Sequence, residues 1–163
     1  MGEDDRSPRL RRAVRALVTR DDDAVLLVHF HFASGAQVWA LPGGGIEPGE
    51  SVEEAIRREL AEEVGVHRFE LGPEVWTRTH VFELSPEFDG QHERVFLVRL
   101  DEPPGEPGLT VDELRAESVD ASRWWTPAEL AASTERFAPR GLPELVARLQ
   151  AEGPPAEPVD AGE

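Results

Sequence analysis

The chain has 163 residues, enough for one domain with a sizeable core. Its formal net charge is −16 and all 17 basic residues are arginine, which argues against an extended nucleic-acid-binding surface. With no cysteine there is neither a disulfide nor a thiolate metal site, and no apolar run approaches the roughly 18 residues of a membrane span. The N-terminal "MGEDDRSPRL" is too acidic and polar for a secretory signal, so the composition suits a cytoplasmic protein. Residues 1–8 and 153–163 are rich in Pro, Gly and acids, and are expected to be disordered around a single domain at 9–152.

Inside those limits, "AVRALVT" (13–19) and "AVLLVHF" (24–30) read as strands joined by the turn "RDDD". "QVWALP" (37–42) is a third, short strand. The glycine-rich loop "PGGGIEPGE" leads into a helix from Val52 to Val64. Ser51 and Glu54 form the S-x-x-E capping box at its start, and Gly65 can stop it. Strands are expected at about 66–71, 74–83 and 94–100, with loops at 84–93 and 101–118. "SRWWT" is a short strand, "TPAEL" opens a short helix, and "LPELVARLQAE" is an amphipathic C-terminal helix. Strands outnumber helices, and one helix follows a glycine-rich loop, a mixed order that suggests an α/β sandwich.

The helix carries Glu59, Glu62 and Glu63, spaced i, i+3, i+4, so like charges stand side by side. At about 100° per residue, with Val52 at zero, Ile56 falls near 40°, Leu60 near 80° and Val64 near 120°, the buried stripe. On that wheel Glu59 lies near 340° and Glu63 near 20°, on the core-facing side, and Glu62 near 280°. A solvated face with i, i+4 ion pairs accounts for most glutamate-rich helices. It does not account for two part-buried acids, which must be protonated, paired or bound to a cation. Adjacent carboxylates with no thiolate or imidazole suit a hard divalent ion such as Mg²⁺ or Mn²⁺.

Gly44, five residues, Glu50, seven residues, then Arg58-Glu59-Leu60-Ala61-Glu62-Glu63-Val64-Gly65-Val66 match G-x5-E-x7-R-E-U-x-E-E-x-G-U, with U aliphatic, at every fixed position. The chain therefore resembles the Nudix hydrolase superfamily, and the strand order around the box is similar too. The resemblance implies a Nudix-like α/β/α sandwich with a mixed β-sheet. It implies hydrolysis of a pyrophosphate linkage in a small-molecule nucleotide, dependent on Mg²⁺ with Mn²⁺ as a substitute. A nucleoside triphosphate is the first expectation. ADP-ribose, a sugar nucleotide, or a non-catalytic nucleotide-binding module are the alternatives, and a homodimer is a state found in the family. By the same resemblance Glu59, Glu62 and Glu63 are metal ligands, joined by a carbonyl of Gly43 or Gly44. Glu59 and Glu62 are the catalytic candidates. Arg58 orients a catalytic glutamate, and Glu50 is structural.

Outside the box, "AESVDASRWW" resembles the E-S-x-[ED] segment of relatives that act on nucleoside triphosphates. On that likeness Glu117 is an extra ligand or base and Asp120 a partner for a base edge; the plain alternative is a turn before a strand. Glu93 is another candidate ligand. Tryptophans are more often core than stacking platforms, but Trp39, next to the glycine-rich loop, is the candidate to line the pocket. Arg78 and His80 alternate with Thr77 and Thr79, so both point one way, toward substrate phosphates or toward solvent. His29 and His31 flank Phe30 without a third ligand, so no histidine metal site is expected.

Overall fold

A computed structural model describes residues 6–82 and 84–162. Val, Leu and Ala alternate faces along β1 (Leu10–Thr19), and its long ladder with β6 (Gly90–Arg99) runs parallel, from Leu10 beside Gly90 to Thr19 beside Arg99. Around that pair the sheet is ordered β8 (Phe137–Ala138), β3 (Gln37–Ala40), β2 (Val25–His31), β1, β6, β5 (Glu70–Val81), β9 (Val159–Asp160). Two strands lie off this path: β4 (Gly43–Gly45) pairs β1, and β7 (Val119–Trp125) pairs β2. Parallel and antiparallel ladders coexist, so the sheet is mixed and the architecture is the expected Nudix-like α/β/α sandwich.

Each face of the sheet has its own core, because successive strand residues point to opposite sides. On one face Val14, Ala16, Val18, Leu26 and Val28 meet Ala55, Ile56, Leu60 and Val64 of α1 (Val52–Val64). On the other, Leu17, Val25 and Leu27 meet Leu130 of α3 (Pro127–Ala132) and Leu142 and Val146 of α4 (Leu142–Glu152). The helix α1 has the expected bounds. Ser51 Oγ accepts from the Glu54 amide, the Glu54 side chain accepts from the Ser51 amide, and Gly65 ends it in the left-handed conformation.

Several boundaries differ from the sequence reading. The strands expected at 66–71 and 74–83 are one bulged strand, β5, because β6 runs alongside from Arg99 back to Gly90. That ladder also draws the polar run 90–93 into β6, where the sequence suggested loop. The loop expected at 101–118 contains α2 (Val111–Ala116), capped by a Thr110–Glu113 box like the one on α1. Residues 153–163 were expected to be disordered, yet Val159–Asp160 pair with Trp76–Thr77, since Val159 and Ala161 pack on the α4-side core. Of the N-terminal tail, residues 1–5 lie outside the described residues.

Candidate active site

The glycine-rich loop and α1 fit together closely. Gly43 has φ 145°, and a Cβ there would meet the Val14 carbonyl oxygen at 2.1 Å. A Cβ on Gly44 would stand 2.5 Å from Glu59 Oε1, so the absent side chain is what admits the carboxylate against the loop backbone. Glu59 and Glu63 are only 8% and 4% exposed, as the helical wheel requires. Both line an open cleft of about 1000 Å³ with Gly43, Gly44, Arg78 and Glu117.

Arg58 locks this arrangement from behind. Its Nε and Nη2 donate to the two Glu50 oxygens at 2.8 and 2.9 Å, Nη2 also donates to the Gly45 carbonyl at 3.0 Å, and Nη1 donates to Glu59 Oε1 at 2.9 Å. The bidentate bonds from Arg58 outweigh desolvation and hold the Glu50 carboxyl down at about 2. Arg58 does not line the cleft, and neither does Glu62, whose Oε2 lies 3.6 Å from Arg58 Nη1.

Glu63 is in a different state. Burial pushes its carboxyl up to about 8, Glu59 adds to the rise, and Arg15 opposes it. Among the described residues its one direct bond is from the Gly43 amide at 3.3 Å. Burial, then the charge of Glu59, also raises Glu62; burial, then Glu59 and Glu62, raises Glu117. A buried carboxylate with so little compensation, beside two more, is what a divalent cation relieves, and the donors are all oxygen. The residues present therefore fit Mg²⁺ or Mn²⁺. Among the described residues no three His, Asp or Glu side chains stand in an assembled metal cage. Glu59 and Glu62 turn instead to the same Arg58 Nη1, at 2.9 and 3.6 Å, and Glu63 to the Gly43 amide.

Some candidates stand elsewhere than the sequence suggested. The Gly43 carbonyl accepts from Arg15 Nη1 at 3.1 Å, so a guanidinium already occupies one side of the oxygen proposed for a cation. Trp39 does not line the cleft; it packs against His29 and Trp125, with centroids at 4.8 and 5.3 Å, as part of the α4-side core. Asp120 does not line the cleft; its Oδ1 is 2.6 Å from His29 Nδ1. Arg78 and His80 do point the same way, into the cleft.

The floor of the cleft holds a network with one unexpected member. Glu93 Oε1 accepts from Gln91 at 2.8 Å and from Arg15 Nε at 3.3 Å, with Arg78 Nη1 at 3.5 Å. Burial would raise the Glu93 carboxyl, but Arg15 and Arg78 together hold it below its ordinary range. The signal for Arg15 was available: a lone charge in the middle of the apolar strand "AVRALVT". Phe30 and Phe32 stack at 5.7 Å on one side of the cleft, and Arg11, Arg136 and Arg140 reach it from distant segments. No short motif linked them.

A family model described as the NUDIX domain matches residues 9–148. The chain belongs to the NUDIX family. This NUDIX chain is 40% identical over 62 residues to the nucleoside triphosphatase NudI of Salmonella paratyphi B. The match covers 38% of this chain and 44% of NudI, less than half of that relative. The solution structure of the E. coli ORF135 protein is similar with a TM-score of 0.60 at 25% identity, over 91% of this chain and 96% of that one. The NUDIX domain of Shewanella oneidensis NrtR, solved with ADP ribose, has the same fold, with a TM-score of 0.62 at 22% identity and 90% coverage of both chains.

Proposed function

We propose that this NUDIX protein is a pyrophosphohydrolase that needs a divalent cation and acts on a nucleotide, a nucleoside triphosphate first among them. One observation carries the reading: Glu59 and Glu63 are buried against a glycine loop yet open onto a cleft that also holds Arg78 and Glu117. Glu59, Glu62 and Glu63 would hold the cation, Mg²⁺ or in its place Mn²⁺, and the Gly43 carbonyl, which Arg15 occupies on one side only, would join them through its other lone pair. When bound, it supplies charge neutralisation for the diphosphate and acidifies a water. Glu59 or Glu62 accepts the proton of the attacking water, and Arg58 fixes Glu59 through its Nη1 bond. Arg78, whose side chain faces the cleft, receives a phosphate oxygen.

NudI being a nucleoside triphosphatase supports a triphosphate substrate, and the ADP ribose bound to the NrtR domain keeps ADP-ribose or a sugar nucleotide as the second reading. A nucleotide substrate goes with a cytoplasmic location, which is part of this proposal; no helix among the described residues is long and apolar enough to cross a membrane. The test is a panel of nucleoside triphosphates, ADP-ribose and sugar nucleotides, with products identified by chromatography. Pyrophosphate and a monophosphate from a triphosphate is the expected result. Turnover of ADP-ribose alone would move the substrate to the second class, and turnover of none would overturn the hydrolase reading.

A further inference from the structure

Glu117 reaches the cleft through an irregular piece of backbone. The chain leaves α2 at Glu117, whose amide donates to the Leu114 carbonyl at 3.0 Å. Ser118 then takes φ 68°, a left-handed conformation unfavourable for a residue with a Cβ. Its amide donates to Arg115 at 2.9 Å, and its carbonyl accepts from the His31 amide at 2.8 Å. Next, the β2–β7 register slips: His29 pairs with Ala121 but Phe30 with Val119, which leaves Asp120 as the extra residue of a bulge. Bulges bend a strand and re-aim the side chains beside them.

Something must hold the bulge in that one arrangement. Asp120 Oδ1 lies 2.6 Å from His29 Nδ1, and Oδ2 lies 3.6 Å from His31 Nδ1. The His29 side chain is 12% exposed and its ring packs at 4.8 Å from Trp39, so the imidazole is itself fixed. None of His29, Asp120 and Trp39 lines the cleft, whereas Glu117 and Val119, on either side of the turn, do. The contact thus lies outside the cleft, while Glu117 and Val119 reach into it.

We propose that His29 and Asp120 are positioning residues for Glu117: their contact fixes the bulge, and the bulge fixes where the Glu117 carboxylate enters the cleft. The effect on turnover rests on the reading that Glu117 serves the hydrolytic site; the effect on the backbone does not. Three variants separate the clamp from simple packing. His29→Phe keeps the ring against Trp39 and removes the bond, Asp120→Ala removes the other partner, and Asp120→Asn keeps an acceptor.

Hydrogen–deuterium exchange of the full chain gives the first readout. In His29→Phe and Asp120→Ala the amides of Glu117, Ser118 and His31 exchange at least about tenfold faster, those of β1 and β6 do not, and Asp120→Asn restores the parental rate. Unchanged exchange at those three amides, or an equal increase throughout the sheet, overturns the proposal whether or not any nucleotide is hydrolysed. The second readout is kinetic. His29→Phe lowers kcat about tenfold or more with KM within about twofold, and adds less than about twofold in a Glu117→Gln background, because the group being positioned is already gone. A His29→Phe effect of the same size in both backgrounds overturns positioning through Glu117. If the parent hydrolyses nothing while exchange behaves as expected, the fault lies with the hydrolase reading and the clamp stands.

Discussion

Glu50 and Glu63 belong to the same box and are driven in opposite directions, the first held near 2 by Arg58 and the second raised to about 8 by burial. One is an ion-paired anchor and the other a buried carboxyl that is costly to ionise. For Glu50 the folded value lies below its ordinary 4.5, so its contribution to stability is present above about pH 4.5 and is lost as pH falls toward 2. Glu50→Gln is expected to melt below the parent near neutrality, with the gap closing over that window. A gap unchanged down to pH 2 would remove the ion pair from the account. Glu63→Gln keeps size and one oxygen but can no longer ionise to meet a cation. Turnover is expected to fall about a hundredfold or more, while the cation-free protein is about as stable as the parent near neutral pH, because burial already keeps most of the Glu63 carboxyl protonated there. Parental kcat together with parental Mg²⁺ affinity would show that Glu63 is no ligand. Arg58→Ala is expected to lower kcat more than it raises KM, because Arg58 touches Glu59 and not the cleft. A change confined to KM would place it in the substrate site.

At the scale of elements, α1 was the most legible part of the chain. Its cap, its stop and its face were written in Ser51, Glu54, Gly65 and the Ile56–Leu60–Val64 stripe, all local signals that packing then reinforced. The strands were located but not bounded, because their ends depend on a partner far along the chain. Residues 90–93 are polar and join β6 only through β1 and β5. The same reason hid the far side of the cleft. Trp39 and Asp120 carry the right chemistry at plausible positions, but the β2–β3 and β2–β7 ladders direct them to His29 and not to the cleft. At this scale Gly44→Ala is the sharper test of the loop–helix fit. A methyl 2.5 Å from Glu59 Oε1 must displace the carboxylate, so turnover should fall while melting temperature changes little. Ser51→Ala, by contrast, should cost about 1 kcal/mol of stability through the cap and leave KM unaltered.

For the whole molecule the charge of −16 and an anionic substrate are reconciled locally. Arg15, Arg78, Arg11, Arg136 and Arg140 all reach one cleft, which Glu59, Glu63, Glu93 and Glu117 also line. A ligand that binds the folded chain alone raises its melting temperature by mass action. Mg²⁺ or Mn²⁺ should therefore stabilise the parent and do so much less for Glu63→Gln. The most direct test of the central claim, that the α1 glutamates hold a divalent cation for hydrolysis, is the rate of pyrophosphate release from a nucleoside triphosphate by the purified parent, with Mg²⁺ and with excess chelator. The account predicts turnover that rises and saturates with Mg²⁺, is recovered with Mn²⁺ and disappears in chelator. Equal turnover in excess chelator would contradict it.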